Sequence, residues 1–373
     1  MSGRDVDVVV VGAGVVGTAC AAALARRGLS LVLIEQRDGA GRETSSRNSG
    51  VIHAGIHYPE GSLKASLCVE GRERLYARCA ALGIPHRKTG KLVLAVHPAE
   101  EAALERILVL AAAAGVGDLV ELDRAQLAAR EPGLTAHAAL WCPHSGVVDA
   151  HALVESYKNE AASHGAEIAF HTRVIGLEHD GQNWTVRARG ERGEESAVRA
   201  SWIVNATGLE CDDVARMAGL DADALGWRIH WCKGDYFVLG AGSPRPRAAL
   251  VYPVPDALGL GIHLTVDLGG RCIAGPDAAY VDRIDYSVDA GKAIEFARAV
   301  GTFLPGLRPE HLAPDYAGIR PKLQPPGGSF RDFVIADGSE LGAPRSLHLI
   351  GIESPGLTAA GAIAERVAAM IPA

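Results

Sequence analysis

Apolar and polar positions in the N-terminal part of the chain predict a strand, a glycine turn, a helix and a second strand. Residues 6–11 form an almost unbroken β-branched run, which is typical of a strand buried in a parallel sheet. The turn Gly12-Ala-Gly-Val-Val-Gly17 follows, and the alanine-rich residues 18–27 predict a helix. Residues 30–34 predict the second strand, which ends at Glu35. This order of elements predicts a dinucleotide-binding unit.

Each part of the glycine turn has its own physical role. Gly12 permits the tight turn, Gly14 lets the backbone approach a pyrophosphate, and Gly17 lets the helix pack closely against the strand. The N-terminus of the helix offers free N–H groups and the positive end of its dipole to phosphates. Glu35 is placed to accept hydrogen bonds from ribose hydroxyls, and its charge disfavours a 2′-phosphate. The motif alone fits either FAD or NAD.

Beyond this unit, the pattern predicts alternating helices and strands and then a strand-rich segment, 227–275. That segment predicts an antiparallel sheet that forms the floor of a substrate cavity. The predicted helices are 62–82, 98–114, a short helix capped by Asp123, 150–164 capped by Asp149, 288–303 and 358–371. The predicted strands are 90–97, 167–175, 184–189, 196–199, 201–208, 234–239, 250–255, 260–265, 271–274, 315–322 and 346–350.

Composition narrows the class of protein. The 373 residues, 48% of them hydrophobic and 22% charged, suit two intertwined globular domains. A net charge of −7 without a Lys/Arg block argues against a nucleic-acid partner. Seven scattered cysteines without a C-x-x-C indicate neither a disulfide framework nor a metal site, and we expect reduced thiols in a cytoplasmic protein. No transmembrane segment or signal peptide is predicted, and peripheral association with the inner face of the membrane is left open.

Several further motifs, in order along the chain, are more specific than the glycine turn. They are Ser46-Arg-Asn-Ser-Gly-Val-Ile-His-Ala-Gly-Ile-His-Tyr58, Ser62-Leu-Lys-Ala65, Cys68-Val-Glu-Gly71, Gly90-Lys-Leu92, Gly146-Val-Val-Asp149, Lys233-Gly-Asp-Tyr236, Tyr252-Pro-Val-Pro-Asp256 and Gly351-Ile-Glu-Ser-Pro-Gly-Leu-Thr358. With them, the chain resembles the D-amino-acid oxidase superfamily of FAD-dependent oxidoreductases over essentially its full length. Within that superfamily it is most similar to the L-2-hydroxyglutarate dehydrogenases and oxidases.

The resemblance implies an α/β fold, with a Rossmann-type parallel sheet that binds FAD and an interleaved antiparallel sheet that binds substrate. It implies an FAD domain built from 1–88, 147–217 and 318–373, and a substrate domain built from 89–146 and 218–317. The implied cofactor contacts are Gly12, Ala13, Gly14, Val15, Val16, Gly17, Glu35, Gln36, Ser45, Ser46, Arg47, Asn48, Ser49, Gly50, Val51, Val174, Ala206, Thr207, Gly208, Gly351, Pro355, Gly356, Leu357 and Thr358.

The implied reaction is oxidation at C2 of a small 2-hydroxy acid, with hydride passing to flavin N5 and electrons then to oxygen, a quinone or an electron-transfer protein. L-2-hydroxyglutarate is the leading substrate. Two alternatives stay open: oxidation of a small amine or amino acid, and a flavin subunit that only relays electrons.

Such an oxidation needs a base for the hydroxyl proton, and a neutral imidazole suits this task. His53 directly follows the flavin loop and is the first candidate, while His263 on the predicted substrate sheet competes with it. A histidine that only packs in the loop or hydrogen-bonds the flavin is the alternative for His53.

A substrate carboxylate favours the fork of an arginine, and Arg320 in Ile-Arg-Pro-Lys lies on a strand that leads back to the flavin domain. A second carboxylate would need a further cation, for which Lys233 and Lys322 are lesser candidates. The other candidate substrate-binding residues are His57, Tyr58 and Tyr252.

Overall fold

The structure, a computed structural model, describes residues 3–247, 250–255 and 261–372. The strands, in chain order, are β1 (Val6–Val11), β2 (Leu31–Ile34), β3 (Val51–Ile52), β4 (His86–Arg87), β5 (Lys91–Ala95), β6 (Val120–Asp123), β7 (Ala138–Cys142), β8 (Gly146–Val148), β9 (Glu167–Ala169), β10 (Thr172–His179), β11 (Trp184–Gly190), β12 (Glu195–Asn205), β13 (His230–Leu239), β14 (Leu250–Pro253), β15 (Leu264–Val266), β16 (Cys272–Ala274), β17 (Ala279–Tyr280), β18 (Leu312–Lys322), β19 (Val334–Asp337) and β20 (Ser346–Ile350). The helices are α1 (Val15–Arg26), α2 (Leu63–Leu82), α3 (Glu101–Ala113), α4 (Arg124–Arg130), α5 (Ala150–Ser163), α6 (Cys211–Met217), α7 (Ala293–Gly301) and α8 (Gly356–Met370).

The first sheet has a parallel core in the order β9-β2-β1-β12-β20, which brings the N-terminal and C-terminal parts of the chain together. An antiparallel meander of β10 and β11 extends it through the N-terminal half of β12, and β19 pairs antiparallel with β20. Helices α1, α5 and α8 pack together against this sheet, with apolar side chains from all three in one core. The valine run of β1 is buried because helices or strands cover it on every side.

The second sheet has nine strands and is mostly antiparallel. Its longest pairing joins β13 and β18, and β5 enters it as a parallel neighbour of β14. Helix α7 packs its buried face, including Phe296, against the inner side of this sheet. A small third sheet has the order β3-β8-β4. The predicted fold class is confirmed, with one parallel nucleotide-type sheet and one interleaved antiparallel sheet.

Most predicted elements are present, and the differences have local causes. Helix α1 begins at Val15 instead of residue 18, because Gly14 is its N-cap. The predicted strand 167–175 is two strands, since His171 has φ 52° and interrupts the extended backbone. The predicted strands 196–199 and 201–208 are the single strand β12, which ends at Asn205, before the Ala-Thr-Gly sequence.

Other differences concern short or marginal elements. The pattern missed the two-residue strands β3, β4 and β17, and also β6, β7, β8 and β19. In the predicted strand 260–265, residue 260 lies outside the described residues, and the strand that is described begins at Leu264. The predicted caps are confirmed: Asp123 accepts from the Gln126 N–H, and Asp149 accepts from the Ala152 N–H.

Candidate active site

A cavity of about 1060 Å³ runs from the first turn of the parallel sheet to the face of the antiparallel sheet. At one end it is lined by the glycine turn and the end of β2. At the other it is lined by histidines, tyrosines and basic side chains from both sheets. Of the predicted cofactor and substrate residues, those that line it are Gly12, Gly14, Val15, Val16, Glu35, Gln36, Ser45, Arg47, Asn48, Ser49, Val51, His53, His57, Tyr58, Val174, Ala206, Thr207, Gly208, Tyr252, His263, Arg320, Lys322, Pro355, Gly356 and Leu357.

The glycine turn is built so that only glycine fits at two positions. Gly12 has φ 98°, and a Cβ there would lie 2.7 Å from the Ala206 carbonyl oxygen. A Cβ on Gly17 would lie 1.8 Å from the Gly12 carbonyl oxygen, so α1 could not pack against the end of β1. Helix α1 therefore starts close to the strand, and its N-cap residue, Gly14, has no side chain with which to cap it. Its first N–H, from Val15, is bonded to Ser45 Oγ at 2.9 Å. This geometry fits a bound diphosphate.

Glu35 is held at the end of β2 by two backbone hydrogen bonds. Its Oε2 accepts from the Ala13 N–H at 2.8 Å, and its Oε1 accepts from the Arg37 N–H at 2.8 Å. The carboxylate is 9% exposed and lines the cavity. A fixed carboxylate at this point is suited to accept hydrogen bonds from a ribose.

A second helix begins at the opposite wall of the cavity. Pro355 is the N-cap of α8 and provides no side-chain cap, and Gly356 and Leu357 line the cavity. Within the first turn, Thr358 Oγ1 accepts from the His53 N–H at 3.0 Å and approaches the Val51 carbonyl oxygen at 3.4 Å. The helix therefore fixes the backbone that carries His53.

His53 lies between this turn and the antiparallel sheet. Its Nε2 is 3.3 Å from Ser354 Oγ, and its buried Nδ1 has no hydrogen-bond partner within the described ranges. Burial, followed by the charge of Lys91 and then that of His263, lowers the pKa of His53 to about 3. The imidazole is therefore neutral at neutral pH and free to accept a proton from a ligand.

His263 is the second neutral imidazole, directly before β15. Its Nδ1 donates to the Gly261 carbonyl oxygen at 2.9 Å, which leaves the lone pair on Nε2. Its ring stacks on Tyr252, with centroids 3.8 Å apart. Burial lowers the pKa of His263 to about 3, and the charges of Lys91 and Arg320 act in the same direction.

Arg320 on β18 brings a guanidinium to this end of the cavity. One of its nitrogens donates to the Asp277 carbonyl oxygen at 2.5 Å and approaches the Lys233 carbonyl oxygen at 3.4 Å. Among the described residues, no carboxylate forms an ion pair with Arg320. Its remaining N–H groups are suited to a carboxylate ligand.

The two lysines predicted for a second carboxylate differ from each other. Lys322 lines the cavity and lies 3.8 Å from Glu353, which also pairs with Lys64 at 2.9 Å. Lys233 is not brought to the cavity. Its ammonium donates to the Ser287 carbonyl oxygen and faces carboxylates away from the site. The reason is strand alternation, because Cys232, not Lys233, lies opposite Arg320 on the β13–β18 pair.

Some predicted cofactor residues shape the cavity without lining it. Ala13 holds Glu35, Gly17 and Gly50 allow close backbone approaches, and Thr358 fixes the His53 backbone. Ser46 is exposed and its hydroxyl bonds to the Glu43 carbonyl oxygen, while Gly351, at φ 67°, packs against Leu323. The predicted residues outside the lining are thus Ala13, Gly17, Ser46, Gly50, Lys233, Gly351 and Thr358.

Sequence reasoning missed Lys91, which lies behind the cavity wall. Its Nζ is 2.8 Å from His57 Nε2 and 4.7 Å from the centroid of the Tyr252 ring. All five residues of β5 are buried, and Lys91 itself is 0% exposed. A lysine inside an otherwise apolar strand was the signal in the sequence that could have revealed it.

Comparison with known proteins assigns the family. A family model described as FAD dependent oxidoreductase matches residues 7–370. The chain belongs to this family. This protein is accordingly an FAD-dependent oxidoreductase, and the glycine turn, Glu35 and the two helix N-termini provide a cradle that fits FAD.

Relatives with known names cover nearly the whole chain. The mitochondrial L-2-hydroxyglutarate dehydrogenase of Arabidopsis thaliana is 36% identical over 400 residues, covering 97% of this chain and 83% of that protein. L-2-hydroxyglutarate dehydrogenase from an Escherichia coli strain is 27% identical, covering 95% and 90%.

Solved structures share the fold. The dithionite-reduced L-α-glycerophosphate oxidase of Mycoplasma pneumoniae, with FAD bound, matches with a TM-score of 0.86 at 25% identity, covering 98% of this chain and 94% of that one. Glycine oxidase from Geobacillus kaustophilus matches with a TM-score of 0.81 at 21% identity, covering 98% and 94%. Among the helices that the structure of this protein describes, none is long and apolar enough to cross a membrane.

Proposed function

We propose that this FAD-dependent oxidoreductase oxidises a small 2-hydroxy acid, with L-2-hydroxyglutarate as the leading substrate and 2-oxoglutarate as the product. The observation that carries the proposal is the cavity. It joins a dinucleotide turn to neutral imidazoles and to an arginine without a carboxylate partner in the described part of the chain. The names of the dehydrogenase relatives support this choice of substrate.

The cofactor residues predicted from the sequence divide between the two ends of the cavity. We expect the turn at 12–17 and Glu35 to hold the ADP half of FAD, and the loop 45–51, Thr207, Gly208 and the turn 354–358 to contact the flavin. FAD supplies the hydride acceptor for the reaction. The FAD domain is proposed as 1–88, 147–217 and 318–373, and the substrate domain as 89–146 and 218–317. The boundary at 317 falls inside β18, which pairs with the second sheet.

His53 is proposed as the base that takes the hydroxyl proton. Its ring is neutral, its backbone is fixed by Thr358, and Ser354 Oγ lies beside its Nε2. A substrate carboxylate that enters the same cavity would oppose the positive charge of Lys91. This would raise the pKa of His53 towards the range in which an imidazole is an effective base. His263 is the competing candidate because its Nε2 also carries a lone pair.

Arg320 is proposed to bind the carboxylate next to the reacting carbon. Its guanidinium is anchored through backbone carbonyls, so its free N–H groups keep a fixed direction. Lys322 is proposed to attract the second carboxylate, although it shares Glu353 with Lys64. Tyr58 and Tyr252 complete the wall, and burial raises the pKa of both phenols, so both remain neutral hydrogen-bonding groups.

The test is an anaerobic titration of the purified holoenzyme with L-2-hydroxyglutarate, followed by the visible flavin absorbance. Bleaching with this acid and not with its D form is the expected result. A flavin band that stays unchanged with L-2-hydroxyglutarate would overturn the substrate assignment, and a panel of amino acids and other hydroxy acids would then identify the class. Bleaching by a small acid would also exclude a subunit that only relays electrons.

A further inference from the structure

Lys91 is a buried cation without a counter-ion in the described part of the chain. It lies in β5 between β14 and β7, opposite Leu250 and Cys142, and is 0% exposed. The only hydrogen-bond partner of its ammonium in the described residues is His57 Nε2 at 2.8 Å, and its charge lies over the Tyr252 ring. Burial of an ammonium without an anion opposes folding. A function that needs this charge would account for the arrangement.

The contact with Lys91 determines where His57 carries its proton. An ammonium group has three N–H donors and no acceptor, so His57 Nε2 must accept the hydrogen bond. The proton of a neutral His57 is then on Nδ1. This Nδ1 is buried and has no hydrogen-bond partner among the residues described, although His57 lines the cavity. A residue of the cavity wall therefore carries a buried N–H donor that lacks an acceptor among the described residues.

We propose that Lys91 is a positioning residue that holds His57 as the Nδ1–H tautomer, so that His57 donates this hydrogen bond to a carboxylate oxygen of the bound substrate. The proposal rests on the proposed function, because it requires a carboxylate substrate. In this arrangement, Lys91 acts through His57 and Arg320 binds directly, so cationic groups on two different strands, β5 and β18, attract the anion. His57 is then a donor and not a base.

The groups around Lys91 support this assignment of charges. Burial lowers the pKa of Lys91 to about 8, which leaves it mostly protonated at pH 7. Burial, and after it the charge of Lys91, lowers the pKa of His57 well below its usual value. Burial also raises the pKa of the Cys68 thiol to about 12, so this neighbour adds no anion. The titratable groups that face Lys91 from the surrounding elements are His53, His57, Cys68, Cys142, Tyr252 and His263.

The first experiment reads the tautomer directly in the holoenzyme. Histidine labelled with ¹⁵N is incorporated, and the His57 signals are assigned by their loss in the His57→Gln variant. We expect a protonated Nδ1 and an unprotonated Nε2 from pH 6 to 7.5. In Lys91→Met, we expect the Nε2–H form to appear and His57 to titrate at a higher pH. A native His57 protonated on Nε2, or a tautomer unchanged in Lys91→Met, would overturn the proposal.

The second experiment measures carboxylate binding with glutarate, a dicarboxylate that has no hydroxyl group to oxidise. Its dissociation constant is obtained from the perturbation of the flavin spectrum. We expect at least tenfold weaker binding in Lys91→Met, and native affinity in Lys88→Met, where the same change is made at an exposed lysine. The affinity of the native enzyme for glutarate should also fall above pH 8, because Lys91 loses its proton there. This decline should be absent in Lys91→Met.

A further pair of variants guards against a folding defect in Lys91→Met. In His57→Gln, the side-chain amide can accept from Lys91 and donate to the substrate, whereas His57→Leu can do neither. We expect the first to retain most of the glutarate affinity and the second to lose it. Equal affinity in the two variants would overturn the proposal. If the holoenzyme binds glutarate but L-2-hydroxyglutarate does not bleach its flavin, only the proposed function is overturned.

Discussion

The two candidate bases differ in what holds their ring nitrogens. His53 approaches Ser354 Oγ through Nε2 and has an Nδ1 without a partner among the described residues, whereas Nδ1 of His263 is committed to a backbone carbonyl. We expect His53→Asn to slow flavin reduction by roughly 10²–10⁴-fold, the usual contribution of a general base. His263→Asn should slow it less. The measurement is stopped-flow flavin reduction at saturating substrate, with FAD content as the control; the opposite order would assign the base to His263.

Arg320 gives a prediction about substrate affinity at the same scale. Hydrogen bonds to charged groups contribute about 1.5–3 kcal/mol, so Arg320→Met should raise KM for a 2-hydroxy acid roughly ten- to hundredfold. Arg320→Lys keeps the charge but loses the fork of the guanidinium, so its KM should lie between those of the native enzyme and Arg320→Met. Lys233→Met is the matched control, because its ammonium does not face the cavity. An unchanged KM in Arg320→Met would remove Arg320 from the binding site.

At the scale of elements, the contact of α1 with the end of β1 depends on Gly17. A Cβ there would lie 1.8 Å from the Gly12 carbonyl oxygen, so Gly17→Ala must displace the first turn of the helix. We expect loss of bound FAD, measured as flavin absorbance per mole of protein. Gly301→Ala is the control, since Gly301 ends α7 and a Cβ there would meet no described atom within 4 Å outside its own helix and chain neighbours. Full FAD content in Gly17→Ala would contradict the close packing.

Elements also differ in how far the sequence could predict them. The valine run, glycine turn and Glu35 predicted the nucleotide half well, because a parallel βαβ unit is a local structure with its own motif. The side of the sheet on which Lys233 and Arg320 lie was not predictable. It depends on the register of β13 and β18, which are far apart in the chain. Lys91 was missed for a related reason: its partner, His57, comes from a distant loop.

The whole molecule places a preformed cofactor cradle and a basic pocket on two different sheets. The parallel sheet provides the glycine turn, and the antiparallel sheet provides Arg320 and the strand that carries Lys91. The cavity extends between them. Solved structures with the same fold are named for a glycerophosphate and for glycine, so the fold alone does not identify the substrate.

Buried neutral histidines also make the stability of the whole molecule depend on pH. Burial lowers the pKa of His348 to about 4, and those of His53 and His263 to about 3. In the unfolded chain they titrate near ~6.5. Between these values the unfolded state binds protons that the native state does not, so stability falls as the pH drops below ~6.5, by up to about 1.4 kcal/mol per pH unit for each histidine.

His348 tests this best, because it lies in the sheet core away from the cavity, bonded to Ser346 Oγ and near Asn205. The melting temperature of the holoenzyme should fall from pH 7 to pH 5, and His348→Gln should make that decline shallower, whatever its effect at pH 7. Equal slopes in the native protein and in His348→Gln would show that His348 is protonated in the native state or that it does not contribute to acid unfolding.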